Sequence, residues 1–304
     1  MEEKSKSNLY VTFTMDCERI KRYSLSGGPE TWEFSERSIR GFAELLKDYG
    51  MKGTFFIIPA TAEKQRRLFG ELEKEEFELG MHFHCRSFRD LRCNEPLGAH
   101  FYEEQRKILG QAKADWANAL GHQPTTFRSG YVSANDATFR VLSELGFKQG
   151  STSVPERECL NIRSVWRGAC RYAHHAHPAF RLIPGSLDFL EVPITVDWEK
   201  RRPTNPCLPL ELGIERAPIE DHKSTVGKNI AAMIQEKVPI KTIVAFTHNV
   251  FDYENESNTV RQTLIALMEY IWEIPQRHGL KTVPSTIEEI HLTYDKMEKG
   301  GVCK

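Results

Sequence analysis

His82 and His84 stand two residues apart at the end of an apolar run, in 77-FELGMHFHCRSF-88. On a strand, positions i and i+2 face the same way, so both imidazoles converge. Two convergent imidazoles suit a divalent cation, provided the rest of the chain supplies further ligands and a use for the ion. Other apolar runs close on residues of matching chemistry. The first ends in 14-TMDCE-18 with Asp16 and Glu18, a later one carries Arg128 in 125-TTFRSG-130, and 242-TIVAFTH-248 ends in Thr247 and His248. Each alone has an ordinary explanation: a solvated acidic turn, a surface or core histidine, an ion-pair arginine. Their shared position at strand ends is what points to a site. The cluster 174-HHAHP-178 (His174, His175, His177) falls in a presumed loop. A solvated or substrate-contacting role is expected there rather than the primary metal site.

The elements that carry these residues alternate. Strands are expected at 9–15, 53–58, 77–84, 125–130, 148–153, 189–196, 242–248 and 281–283. Helical periodicity separates them. Ser35 reads as the N-cap of a helix stopped by Gly50, a long helix at 101–120 is closed by Gly121, Ser133 or Asn135 caps a helix ended by Gly146, and another runs over 259–274. Repeated β–α units with mostly apolar strands predict an α/β fold, a distorted (β/α)7-type barrel with mostly parallel strands. In such a barrel the strand ends meet at one rim. A single domain over 1–304 is expected, with loop insertions near 154–188 and 201–221, and long loops of this kind often bind ligands.

Bulk properties narrow the function. The 304 residues carry a formal net charge of -1, which gives no basic footprint and argues against nucleic acid. No run has the length or apolarity to span a bilayer, and the N-terminal stretch shows no apolar signal core. Seven cysteines without framework spacing fit a reducing cytoplasm.

With these residues placed, the chain from about Leu9 to Glu289 resembles the polysaccharide deacetylases of carbohydrate esterase family 4. 12-TFTMDCE-18 is similar to the family's acidic pair, which makes Asp16 the general base and Glu18 a metal ligand. Glu78, Gly80 and His82 match the E-x-G and first histidine of the second motif. 127-FRSGY-131 is similar to F-R-P-P-Y, so Arg128 would orient the base and the Tyr131 backbone N–H would line the oxyanion hole. 246-FTH-248 is similar to L-x-H, with His248 as general acid, and Asp197-Trp198 stands where an acidic–Trp element would border the groove. The resemblance implies a divalent metal, commonly zinc, and hydrolysis of acetamido groups. One position departs: Arg86 occupies the place of the second histidine, and a guanidinium cannot ligate. His84 is then the candidate third ligand. A histidine from 174–177, or a weakly held ion, are the alternatives.

The expected function is therefore metal-dependent removal of an N-acetyl group from an intracellular acetamido sugar or glycoconjugate precursor. The alternatives are a hydrolase of a non-sugar linear amide or formamide, and a non-catalytic carbohydrate-binding descendant with a degraded metal site. Trp166, Trp198 and Tyr253 are candidate sugar-stacking surfaces. An oligomer is compatible with everything above.

Overall fold

The computed structural model describes residues 7–24, 27–88 and 95–301. Eight strands run parallel: β1 (Ser7–Cys17), β2 (Gly53–Ile57), β3 (Glu78–Phe83), β4 (Thr126–Ser129), β5 (Gln149–Gly150), β6 (Leu190–Glu191), β7 (Lys241–His248) and β8 (Leu280–Pro284). Their order is β7–β1–β2–β3–β4–β5–β6. β1 is long enough to serve two neighbours along one edge: Ser7–Val11 pair with β8 and Phe13–Cys17 with β2. Irregular chain bridges the remaining gap. Thr195 N–H donates to Val244 O at 3.2 Å, Phe246 N–H to Leu212 O at 3.0 Å, and Ile214 N–H to Phe246 O at 2.9 Å. The sheet is thus a distorted, incompletely closed (β/α) barrel.

The helices that cover it are α1 (Trp32–Asp48), α2 (Pro59–Lys64), α3 (Arg66–Lys74), α4 (Tyr102–Leu120), α5 (Thr138–Glu144), α6 (Ile219–Gln235), α7 (Thr259–Arg277) and α8 (Ile287–Gly301). Strand alternation sorts β1 into two faces. Phe13, Met15 and Cys17 join the buried apolar core, while Thr14 and Asp16 turn towards the Arg128 guanidinium. None of the helices among the described residues is long and apolar enough to cross a membrane.

Three expectations change. The cap of α1 is Thr31, whose hydroxyl accepts from Phe34 N–H, and not Ser35. Ser35 lies inside the helix and spends its hydroxyl on Gln65 and Asn249. The stretch 201–221 is no irregular loop. Most of it belongs to a β-hairpin, Val196–Arg202 against Asn205–Glu211, followed by the start of α6. Its prolines sit in a two-stranded ribbon, where an unpaired edge makes a missing N–H tolerable. The 154–188 insertion is partly ordered into Glu158–Cys159 against Ser164–Val165, and His174–His175 pairs antiparallel with β6 as the outer strand of the barrel sheet.

Candidate functional site

Strand register brings the predicted residues to one rim. Asp16 pairs with His248 across β1 and β7, and His82 with Arg128 across β3 and β4. All but Arg128 line a single cavity of about 420 Å³, together with Tyr131, Arg157, Glu211, Glu215 and Arg216.

Glu18, His82 and His84 present donor atoms within 4.8 Å of one another, and all three are buried. Glu18 Oε1 lies 3.3 Å from His82 Nε2 and 3.0 Å from His84 Nε2. The second oxygen, Oε2, is buried without a hydrogen-bond partner, a costly state for a carboxylate unless a cation meets it. His82 Nδ1–H donates to Arg128 O at 3.0 Å, which leaves the Nε2 lone pair facing the group. Burial alone would raise the Glu18 carboxyl, yet the two imidazoles hold it far below the ordinary range. A mixed set of one carboxylate and two imidazoles fits a divalent cation of the zinc type, with room for water. His84 is thus the third member of the convergent group. Arg86 is exposed on the turn that follows and lies outside the cavity lining.

Backbone detail holds the triad. Glu18 lies just past β1, and the Asn249 amide clamps it: Glu18 N–H donates to Asn249 Oδ1 at 2.9 Å, and Asn249 Nδ2 donates to Glu18 O at 3.0 Å. The His84 ring packs against Gly130, where a Cβ would meet ring atoms at 2.3 Å. Tyr131 follows in the left-handed region at φ 57, and its ring meets the His84 ring edge-on at 4.7 Å.

Asp16 sits beside this group. Its Oδ1 accepts from Arg128 Nη1 at 2.8 Å, and its Oδ2 lies 4.0 Å from His82 Nε2. Arg128 is 0% exposed. It donates further to Thr14 Oγ1, Ser151 O and Ser151 Oγ at 2.8, 2.8 and 3.0 Å, and stacks over the Phe56 ring at 4.1 Å. Burial favours the neutral Asp16 acid, but Arg128 outweighs it, with His82 and His248 adding to the effect, and holds the carboxyl below its usual value. Asp16 is thus a charged base with one oxygen anchored and the other free for the cavity.

On the neighbouring strand β7, His248 Nδ1 meets Glu215 Oε1 at 2.7 Å. Burial would lower the His248 pKa, yet Glu215, and beyond it Asp16, raise it above the usual value. The imidazolium form is favoured, and Nδ1 is the atom held. Sequence reasoning missed Glu215 because it follows the hairpin in irregular chain, where no periodicity marks it. Asn249, directly after the FTH motif, was missed as well.

Several other residues lie elsewhere. His174 Nδ1–H donates to Tyr172 O, His175 binds Leu187 O and Asp295, and His177 Nδ1 accepts from the N–H groups of Ala179 and Phe180. All three sit at the outer sheet edge, so they neither complete the triad nor line the cavity. Trp166 is buried, with its indole N–H on Val132 O at 2.7 Å, and Tyr253 is buried against Thr247. Asp197 pairs with Lys228, and Trp198 lies under Arg171 and Lys228. These aromatics are packing and cation-binding groups outside the cavity, not sugar platforms.

The polysaccharide deacetylase family profile matches residues 28–150. The fold is similar to that of a Mycobacterium smegmatis protein provisionally named a polysaccharide deacetylase, with TM-score 0.63 and 15% identity over 98% of this chain and 94% of that one. A Pseudomonas aeruginosa PAO1 protein named in the same provisional way gives 0.60 and 13%, over 95% and 92%. An allantoinase gives 0.59 and 13%, over 95% and 90%. At such identities the likeness is one of fold. Comparison with curated proteins finds no match. The chain is thus similar to polysaccharide deacetylases in its profile over residues 28–150 and in a barrel shared over nearly its whole length.

Proposed function

We propose that this protein is a divalent-metal-dependent hydrolase that removes the N-acetyl group from an acetamido sugar or glycoconjugate precursor inside the cell. The observation that carries the reading is Asp16, held ionised by a buried arginine and set beside three convergent metal donors, Glu18, His82 and His84. A divalent ion held by Glu18, His82 and His84 would supply Lewis acidity there and make water a stronger acid near neutral pH.

The chain's own groups do the rest. Asp16 accepts a proton from the attacking water through the oxygen that Arg128 leaves free. The Tyr131 N–H donates to the carbonyl oxygen as it gains charge, a donor of the kind typically worth about 3–4 kcal/mol. His248, protonated and held at Nδ1 by Glu215, gives its Nε2 proton to the departing nitrogen. A C–O bond forms, the C–N bond breaks, and the products are acetate and a free amine.

The test is acetate release from N-acetylated sugars by metal-replete protein, lost on chelation and restored by zinc. A metal-loaded chain that liberates no acetate from such sugars overturns the reading. Formate or ammonia released from other amides would then identify the second reading, a small non-sugar amide. That reading is favoured by a cavity wall of Val154, Ile162, Ile194 and Phe251 with Arg157 and Arg216. A chain that binds sugar but holds no metal would be the non-catalytic form.

Glu215 gives a pH prediction. The active form of His248 is protonated, so activity is present below its pKa and is lost as pH rises through it. Glu215→Gln removes a charge that raises that pKa. The basic limb of the kcat/KM profile is expected to move to lower pH. A basic limb in the same place would remove Glu215 from the scheme.

A further inference from the structure

The histidine cluster at the sheet edge builds a second donor set that hydrolysis leaves unused. His175, on the outer antiparallel strand, faces His291 on α8, and the Asp295 carboxylate reaches both. His175 Nδ1–H donates to Leu187 O at 2.9 Å, and His291 Nδ1–H donates to Gln149 Oε1 at 2.9 Å. Those bonds fix both rings with the Nε2 atom turned inward. His175 Nε2 lies 3.1 Å from Asp295 Oδ1 and 3.7 Å from Glu298 Oε2, and His291 Nε2 lies 3.5 Å from Asp295 Oδ1. His291 is 6% exposed, and its Nε2 is buried without a hydrogen-bond partner. A neutral imidazole lone pair aimed at a carboxylate needs a positive charge between them.

Spacing supports the same conclusion. His291, Asp295 and Glu298 recur at i, i+4 and i+7, which places them on one face of α8. Tetrahedral zinc with bonds of about 2.0–2.1 Å sets its donors roughly 3.3 Å apart. The distances from Asp295 Oδ1 to the two Nε2 atoms, 3.1 and 3.5 Å, lie on either side of that figure. Asp295 also lies 3.5 Å from Lys299, an exposed lysine that can swing away.

We propose that His175, His291 and Asp295 form a second divalent-cation site of the zinc type, with Glu298 close to His175, tying the C-terminal helix α8 to the outer edge of the barrel sheet. Three protein donors drawn from the sheet edge and α8 would cross-link the two elements through the ion. The site stands on geometry independent of the hydrolytic reading.

The test counts metal in the full chain, saturated with zinc and then freed of excess. Asp295→Asn is expected to hold one zinc ion fewer per chain than the parent, and His291→Gln likewise, with hydrolytic activity kept. In a Glu18→Gln background, zinc should raise the unfolding midpoint, and adding Asp295→Asn should abolish that rise. An unchanged zinc count on Asp295→Asn overturns the site and leaves a His–Asp ion-pair network. Because the count is a difference between chains, it holds whether or not the cavity carries its own ion.

Discussion

Asp16→Asn is expected to lower kcat/KM by about 10²–10⁴-fold, the usual contribution of a positioned general base, with the metal content of the cavity unchanged. The amide keeps the shape of the carboxylate and can still accept from Arg128 through Oδ1, so the wall should stand. What disappears is the anionic oxygen turned towards His82 Nε2. Glu18, His82 and His84 are untouched, which separates loss of the base from loss of the ion. Parallel kinetics and metal analysis on the purified variant make the check. Full activity in a metal-replete Asp16→Asn chain would end the assignment.

The second large effect lies in stability. Arg128→Met should cost about 3–5 kcal/mol, because it strands the buried Asp16 charge. It also leaves the acceptors Thr14 Oγ1, Ser151 O and Ser151 Oγ without their Arg128 donors. The loss should appear as a lower denaturant midpoint at unchanged slope. Activity should fall too, since Asp16 without Arg128 is pushed by burial towards its neutral acid. The paired variant Arg128→Met/Asp16→Asn removes both charges, and much of the stability should return while activity does not. A paired variant no more stable than Arg128→Met alone would show that packing over Phe56, rather than charge, is what Arg128 contributes.

The parts of this architecture visible in the sequence were those written as local periodicity. The i, i+2 spacing of Asp16 with Glu18 and of His82 with His84 already fixed which side chains share a face. The strand ends then gathered them, because parallel strands all finish at one rim. Glu215 and Asn249 were invisible because they act across long separations: Asn249 reaches Glu18 231 residues away, and Glu215 reaches His248 33 residues away. Ser35 was mistaken for a cap because its apolar stripe begins at Ile39, whereas the helix starts one turn earlier at Trp32. The 174–177 histidines looked like loop residues because a two-residue edge strand is too short to show alternation.

The register between β1 and β7 has a further implication. Asp16 and His248 are neighbours across a backbone ladder, so the spacing of proton acceptor and proton donor is built into the main chain. Other lining is assembled differently, from Glu211 at the end of the Val196–Glu211 hairpin, from Glu215 and Arg216 after it, and from the chain around Val154–Ile162. One part of the cleft is thus set by the sheet ladder, and the other by hairpin and loop chain. Exchange of that outer segment as a cassette would reshape the cleft while leaving the Asp16–His248 spacing in place.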